Sequence, residues 1–193
     1  MNAILLAGGK SSRFGSNKAF AEINNQLMVE KIVNKLNNYF EKIYLVVQNK
    51  VDYDFLEDVI IVEDIIPAMG PLGGLYTGLE YSDREKNYLT ACDMPFLVDK
   101  YLSYLENYKH DFDVLIGEYN GYYEPFAGIY KKSSLKAIKR TLSEGKLKIK
   151  DFYNDINLKV IPEDKITEIA EPKKIYFNIN YKSDLENINK YCS

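Results

Sequence analysis

The sequence predicts a three-layer, doubly wound α/β fold whose sheet is mostly parallel and carries one antiparallel element. Three observations lead there. Continuous apolar runs of strand length recur along the chain, as buried parallel strands require. Between them, apolar residues fall at helical spacing. One stretch, 120–130, breaks that alternation with a turn signal and a second run directly after it. Alternating strands and helices imply right-handed crossovers that place helices on both faces of one sheet.

Taken in order, Ala3–Ala7 is the first apolar run, and it ends at Gly8-Gly9. Val29, Ile32, Val33, Leu36 and Phe40 then share one helix face, and Ile43–Val47 reads as the second strand. Val59–Val62 is the third, followed by a stripe of Leu72, Leu75, Tyr76 and Leu79. Tyr88–Cys92 is the fourth, followed by Val98, Tyr101, Leu102, Leu105 and Tyr108. Val114–Gly117 precedes Asn120-Gly121, a strong hairpin signal, and Tyr122–Tyr130 (YYEPFAGIY) supplies the antiparallel element. Leu135, Ile138 and Leu142 make a shorter stripe, Ile175–Asn178 reads as a last strand, and Leu185 with Ile188 follows it. The lysine-rich segment from Glu144 to Lys174 is weakly patterned. No linker or repeat divides residues 1–193, so one domain is expected.

Composition narrows the function classes. With 46% apolar and 27% charged residues the 193-residue chain is an ordinary globular protein, and its net charge of −3 offers no basic surface for nucleic acid. Two cysteines, Cys92 and Cys192, are too few and too far apart in sequence to imply a disulfide framework or a zinc site, and one histidine, His110, excludes a His-based metal cluster. Cys92, inside an apolar run, reads as a small buried hydrophobe. The first apolar run has no basic flank and breaks at Gly8, too short for a signal peptide or a membrane span, so a cytoplasmic protein without membrane contact is expected.

In an open α/β sheet, ligands bind beyond the carboxyl ends of the strands, and four polar clusters stand at such ends. The first is Gly8-Gly9 with Ser11, Ser12, Arg13 and Lys18. It is no P-loop, which would need a glycine where Ile4 stands, nor does it match G-x-G-x-x-G. Its glycines let backbone N–H groups approach an anion, while Arg13 offers a forked donor and Lys18 a point charge. The second is Glu63-Asp64 leading to Gly70-Pro71-Leu72-Gly73-Gly74, where a flat base could lie against the backbone and Asp64 could accept from ribose or base. A simple turn into the following helix would explain the same glycines, with proline at its first position. The third is Cys92-Asp93-Met94-Pro95, where Asp93 suits a hard divalent cation that shares phosphate oxygens. The fourth is Asn178-Ile179-Asn180.

These segments together resemble a known family. LAGGKSSRFGSNKAF looks like the L-A-G-G-x-S-x-R-M-G-x-D-K-A signature of the molybdenum cofactor guanylyltransferases. GPLGGLYTGL, ACDMPFL, EPFAGIY and FNINYKSDLE resemble their G-P-L-x-G-x-x-x-G-L, C-D-M-P-F, x-P-x-x-A-x-Y and N-I-N-T-P-x-D-L segments, in order from residue 5 to residue 186. Four departures stand out: Phe14 for methionine, Asn17 for the aspartate before the lysine, Gln48 near an asparagine of some relatives, and Tyr181-Lys182 for Thr-Pro.

The resemblance implies a nucleotidyltransferase Rossmann-like fold and transfer of GMP from GTP to molybdenum-bound molybdopterin, with release of pyrophosphate. It places the nucleotide on Leu6, Ala7, Gly8, Gly9, Lys18, Asp64, Gly73 and Asp93, with Mg2+ on Asp93. Arg13, Lys18 and Asp93 become the catalytic residues, and Asn178 and Asn180 serve the acceptor or the metal. GTP and the molybdopterin cofactor are then the substrates, with transient contact to cofactor-delivery or acceptor proteins. A sugar-phosphate or cytidylyl transferase, or a non-catalytic nucleotide-binding relative, would show many of the same features. Gly8-Gly9 favours the guanylyl branch, whose cytidylyl counterparts usually carry L-A-A-G.

Overall fold

A computed structural model of the chain describes residues 1–7, 17–23, 25–181 and 183–184. The segment 8–16, which holds Gly8, Gly9 and Arg13, lies outside the described residues, as do Leu185, Ile188 and Cys192. The strands are β1 (Asn2–Leu6), β2 (Glu22–Ile23), β3 (Gln26–Leu27), β4 (Ile43–Val47), β5 (Ile60–Glu63), β6 (Lys86–Ala91), β7 (Val114–Tyr119), β8 (Tyr122–Lys131) and β9 (Leu158–Ile161). The helices are α1 (Met28–Leu36), α2 (Gly70–Tyr81), α3 (Asp99–Glu106), α4 (Leu135–Ser143), α5 (Glu163–Ile169) and α6 (Pro172–Ile175).

Seven strands form one sheet in the order β5-β4-β1-β6-β8-β7-β9, and β2 and β3 make a separate two-stranded ribbon. β1 pairs in parallel with β4 and β6, β4 with β5, and β7 with β9, whereas β8 runs antiparallel to both β6 and β7. Along β1 the side chains alternate between two cores. Ala3 and Leu5 face α1, α3, α5 and α6, and Ile4 and Leu6 face α2 and α4. That is the three-layer arrangement expected, with the sheet buried on both faces, which is why its central strands read as unbroken apolar runs.

The strand order reverses between β1 and β6, at the centre of the sheet. Connections leave β1 and β6 in opposite directions there, opening a crevice beyond their carboxyl ends. Leu6 pairs with Val46 on one side and Ala91 on the other, so Ala7 and Cys92 leave the sheet side by side. The main chain ties them further, with Cys92 N–H donating to Leu6 O at 3.0 Å and Ala7 N–H to Val46 O at 3.1 Å.

Two expectations about the chain's second half are corrected. Ile175–Asn178 is not a strand. Pro172 starts the short helix α6, Tyr176 closes it, and 177–180 then run outside the sheet. The seventh strand is β9, inside the weakly patterned segment 144–174. Four residues of which one is lysine carry too little period-2 signal to be read locally, and pairing with β7 decides the conformation. The Asn120-Gly121 hairpin stands as expected, with both residues at positive φ, 52° and 75°.

Candidate active site

The crevice at the end of β1 and β6 gathers three polar side chains from distant parts of the chain. Lys18 opens a short 3-10 turn, Lys18–Phe20, capped by Asn17, whose Oδ1 accepts from Ala19 N–H at 3.1 Å. The Lys18 ammonium donates to Asp93 Oδ2 at 3.1 Å and to Asn180 Oδ1 at 3.3 Å. Asp93 lies two residues past the end of β6 and is not a helix cap, since α3 begins after Val98. Its carbonyl accepts from Ile179 N–H at 2.9 Å, so the 177–180 segment is moored beside it. Asp184 holds the next bend by accepting from Asn180 N–H at 2.7 Å and Tyr181 N–H at 2.8 Å. Asn178 is exposed two residues earlier.

The aspartate that Asn17 replaces in the family pattern is therefore not needed as Lys18's counter-ion, because Asp93 takes that role. Lys18 and Asp93 are 14% and 26% exposed, which leaves both open to a ligand. Asp93 Oδ2 and Asn180 Oδ1 converge on one ammonium, and a carboxylate plus an amide oxygen is a partial donor set that a hard divalent cation could accept when phosphate and water complete it. Among the described residues no cluster of three or more His, Cys, Asp or Glu side chains surrounds a metal-sized space.

A second group lines a cleft between the ends of β1, β4 and β5 and the start of α2, walled by Leu6, Val46, Gln48, Asp64, Gly70, Pro71 and Gly74. Asp64 Oδ1 accepts from Thr77 Oγ at 2.7 Å and from Ile66 N–H at 3.3 Å. Thr77 itself accepts from Ile65 N–H at 3.0 Å and is fully buried. With Oδ1 engaged, Oδ2 lies on the side of Gly73, where an added Cβ would stand 3.6 Å from it and 2.7 Å from Met69 Cβ.

The GPLGG stretch is not a loop but the first turn of α2, with Pro71 at its start. The glycine at 78 has a packing reason as well, because a Cβ there would come within 2.4 Å of Ile4 Cγ2. Leu6 lines the cleft, and its carbonyl accepts one bond, from Cys92 N–H. Gly70, Pro71 and Gly74 belong to the glycine-rich segment expected to lie against a base, and Gln48, which the sequence reading left out of the site, joins them at the wall of the same cleft.

Two nearby groups titrate away from their usual values. Burial pushes the Cys92 thiol up to about 12, so it stays protonated and is not a nucleophile. Burial also pushes Glu124, half-buried on β8 opposite Gly117, up to about 7 from 4.5. A carboxyl with a raised folded pKa gives stability that is fully present below about 4.5 and lost as pH rises through about 7. Glu124→Gln should therefore unfold at higher denaturant than the parent at pH 8, by about 1–2 kcal/mol once solvent screening of this partly exposed group is allowed for. The gap should close toward pH 4. Urea unfolding across that range checks it, and a gap that widens at acid pH would contradict it.

The chain was compared with known proteins. Residues 3–158 match the family model described as MobA-like NTP transferase domain. The chain is 35% identical over 193 residues to a protein of Carboxydothermus hydrogenoformans named probable molybdenum cofactor guanylyltransferase, covering all of this chain and 97% of that one. It is 28% identical over 188 residues to the molybdenum cofactor guanylyltransferase of Desulfosudis oleivorans, covering 96% and 93%. Among solved structures, molybdopterin-guanine dinucleotide biosynthesis protein A from Archaeoglobus fulgidus superposes with a TM-score of 0.86 at 23% identity, over 100% of this chain and 98% of that one.

Proposed function

The chain belongs to the MobA-like NTP transferase family, and on that premise we propose that it is a molybdenum cofactor guanylyltransferase. Acting as one domain over residues 1–193 in the cytoplasm, it transfers GMP from GTP to molybdenum-bound molybdopterin and releases pyrophosphate. No described helix is long and apolar enough to cross a membrane. The observation that carries the reading is the convergence of Lys18, Asp93 and Asn180 at the strand-order reversal, beside a cleft rimmed by Asp64.

In this reaction a phosphate oxygen of the acceptor forms a bond to the α-phosphorus of GTP. The bond from that phosphorus to the α,β-bridging oxygen breaks, and its electron pair leaves with pyrophosphate. The attacking phosphate is already an anion, so no general base is required, and the protein contributes alignment and charge. The cleft would hold the nucleoside, with Asp64 accepting from it, Gly73 leaving room beside that carboxylate, and Gln48 at the wall. Leu6 and Ala7 would border the nucleotide, and Gly8, Gly9 and Arg13 would add backbone and guanidinium donors. Lys18 would stabilise charge on the transferring group and the leaving pyrophosphate. Mg2+ held by Asp93, with Asn180 beside it, would supply further neutralisation of the triphosphate. Asn178 would face the acceptor.

Incubating the protein with Mg2+, molybdopterin cofactor and each NTP separately, then identifying the dinucleotide by mass spectrometry, tests this. Guanine dinucleotide from GTP alone is expected. A product formed from CTP in preference, or no pyrophosphate with any NTP, would overturn it.

Asp64's orientation makes a separate prediction. Thr77→Val keeps the shape but removes the hydroxyl that donates to Asp64 and accepts from Ile65. KM for GTP should rise roughly five- to tenfold, about 1 kcal/mol, with kcat little changed. Thr77→Ser should restore the parental KM, and a serine variant no better than valine would refute the orienting role.

A further inference from the structure

The Tyr53 hydroxyl sits at the junction of the two residues that flank the segment 8–16. Tyr53 closes a 3-10 turn, Lys50–Tyr53, just after β4 and is 2% exposed. Its hydroxyl donates to Ala7 O at 3.0 Å and accepts from Asn17 Nδ2 at 3.0 Å. Ala7 is a fixed reference, because its own N–H is bonded to Val46 O beyond the end of β1. Asn17 immediately precedes Lys18 and caps its turn.

The chemistry of this junction is asymmetric. A phenol has one proton, and with that proton on Ala7 O its second bond must come from a donor. The Asn17 amide supplies it, while its oxygen accepts from Ala19 N–H. Both ends of the amide are used. A carboxylate at 17 could still serve Ala19 but has no proton to give Tyr53, which would then have to choose between Ala7 O and the new oxygen. Phe20 packs on the same phenol with ring centroids 5.0 Å apart, so the turn carrying Lys18 is held to Tyr53 by packing as well. Burial pushes the Tyr53 hydroxyl up to about 12, so the proton this arrangement needs stays in place across neutral pH.

We propose that Tyr53 and Asn17 form a positioning clasp, a hydroxyl–amide relay that fixes Lys18 relative to the end of β1 and so sets where its ammonium meets substrate phosphate. The clasp rests on the reading of Lys18 as the phosphate-binding lysine. It accounts for the asparagine that replaces the family's aspartate. In this chain residue 17 donates a hydrogen bond to Tyr53, and charge pairing for Lys18 comes from Asp93 instead. Tyr53 and Asn17 act through Lys18 and are positioning residues.

The test combines kinetics with hydrogen exchange. Tyr53→Phe keeps the ring and loses both hydrogen bonds, and Asn17→Asp keeps the cap and loses the donor. Each should lower kcat/KM for GTP about tenfold, because either change breaks the single hydrogen bond that links Asn17 to Tyr53. The double variant should be no worse than either single one. In a Lys18→Ala background, Tyr53→Phe should change the residual turnover by less than about twofold, because nothing remains for the clasp to place. Additive losses, or a tenfold loss that persists without Lys18, would overturn the proposal, since general destabilisation acts regardless of Lys18. Exchange of the Ala19 amide, read by NMR without nucleotide, separates this from the functional reading. Faster exchange in Tyr53→Phe, where Asn17 loses its anchor, supports the clasp even if the parent transfers no nucleotide, and unchanged exchange in that variant overturns it.

Discussion

Lys18→Ala is expected to lower kcat for GMP transfer by about 10²–10³-fold, corresponding to some 3–4 kcal/mol of lost transition-state stabilisation. The magnitude follows from the position of the ammonium. It is 14% exposed, aimed by a capped turn, and lies 3.1 Å from Asp93 and 3.3 Å from Asn180 at the crevice where phosphates are expected. A preorganised charge at such a site needs no reorganisation when negative charge shifts to the leaving pyrophosphate. Stability should hardly change. The Lys18–Asp93 pair is partly solvated, so breaking it costs about 1 kcal/mol or less. Steady-state kinetics alongside thermal melts check both halves. A variant with near-parental turnover would remove Lys18 from the mechanism, and one that melts far lower would recast it as a structural residue.

Asp93→Asn should produce a comparable or larger loss in turnover, roughly 10²–10⁴-fold, together with a change that Lys18→Ala does not share. The substitution keeps the side chain's shape and leaves the main-chain bond from Ile179 to residue 93 intact, so the crevice should persist. It removes the carboxylate that a hard cation requires. The Mg2+ concentration for half-maximal activity should therefore rise by about tenfold or more, while in Lys18→Ala it should stay close to the parental value. Titrating Mg2+ against turnover in the three proteins separates the two roles. An unshifted Mg2+ dependence in Asp93→Asn would mean the cation is held elsewhere.

Much of the architecture could be read locally. Each central strand is buried on both faces, so its whole length must be apolar, and Ala3–Ala7 and Ile43–Val47 announce themselves within five residues. α1 and α3 bury one face each, and the i, i+3, i+4 spacing of Val29, Ile32 and Val33, like the three- and four-residue steps from Leu102 and Tyr101 to Leu105, follows directly. β9 was hidden for the complementary reason. Leu158–Ile161 is a short edge strand, only partly buried along most of its length, and its conformation comes from β7. Ile175–Asn178 misled because Ile, Tyr and Phe in sequence look like a strand. Pro172 instead started a helical turn, and Ile175, Tyr176 and Ile179 bury themselves against the sheet without joining it.

The glycines of GPLGGLYTGL show the same division. Their number signalled a close approach, and the approach exists, but at residue 78 the partner is Ile4 of β1 rather than a ligand. Asn17 could be seen as a departure from the family pattern, whereas its bond to Tyr53 could not, because that residue arrives from the far side of β4.

By itself the sequence determined which chemistry stands at the strand ends. Apolar runs, glycines, prolines and the carboxylate and ammonium groups beside them act within a few residues, and their order along the chain identified the family. Tertiary structure decided which of these groups meet. Lys18 finds Asp93 across 75 positions and Asn180 across 162, and it does so because the sheet reverses its strand order between β1 and β6. That contact is set by crossover topology and by backbone bonds such as Ile179 to Asp93, which no local pattern encodes.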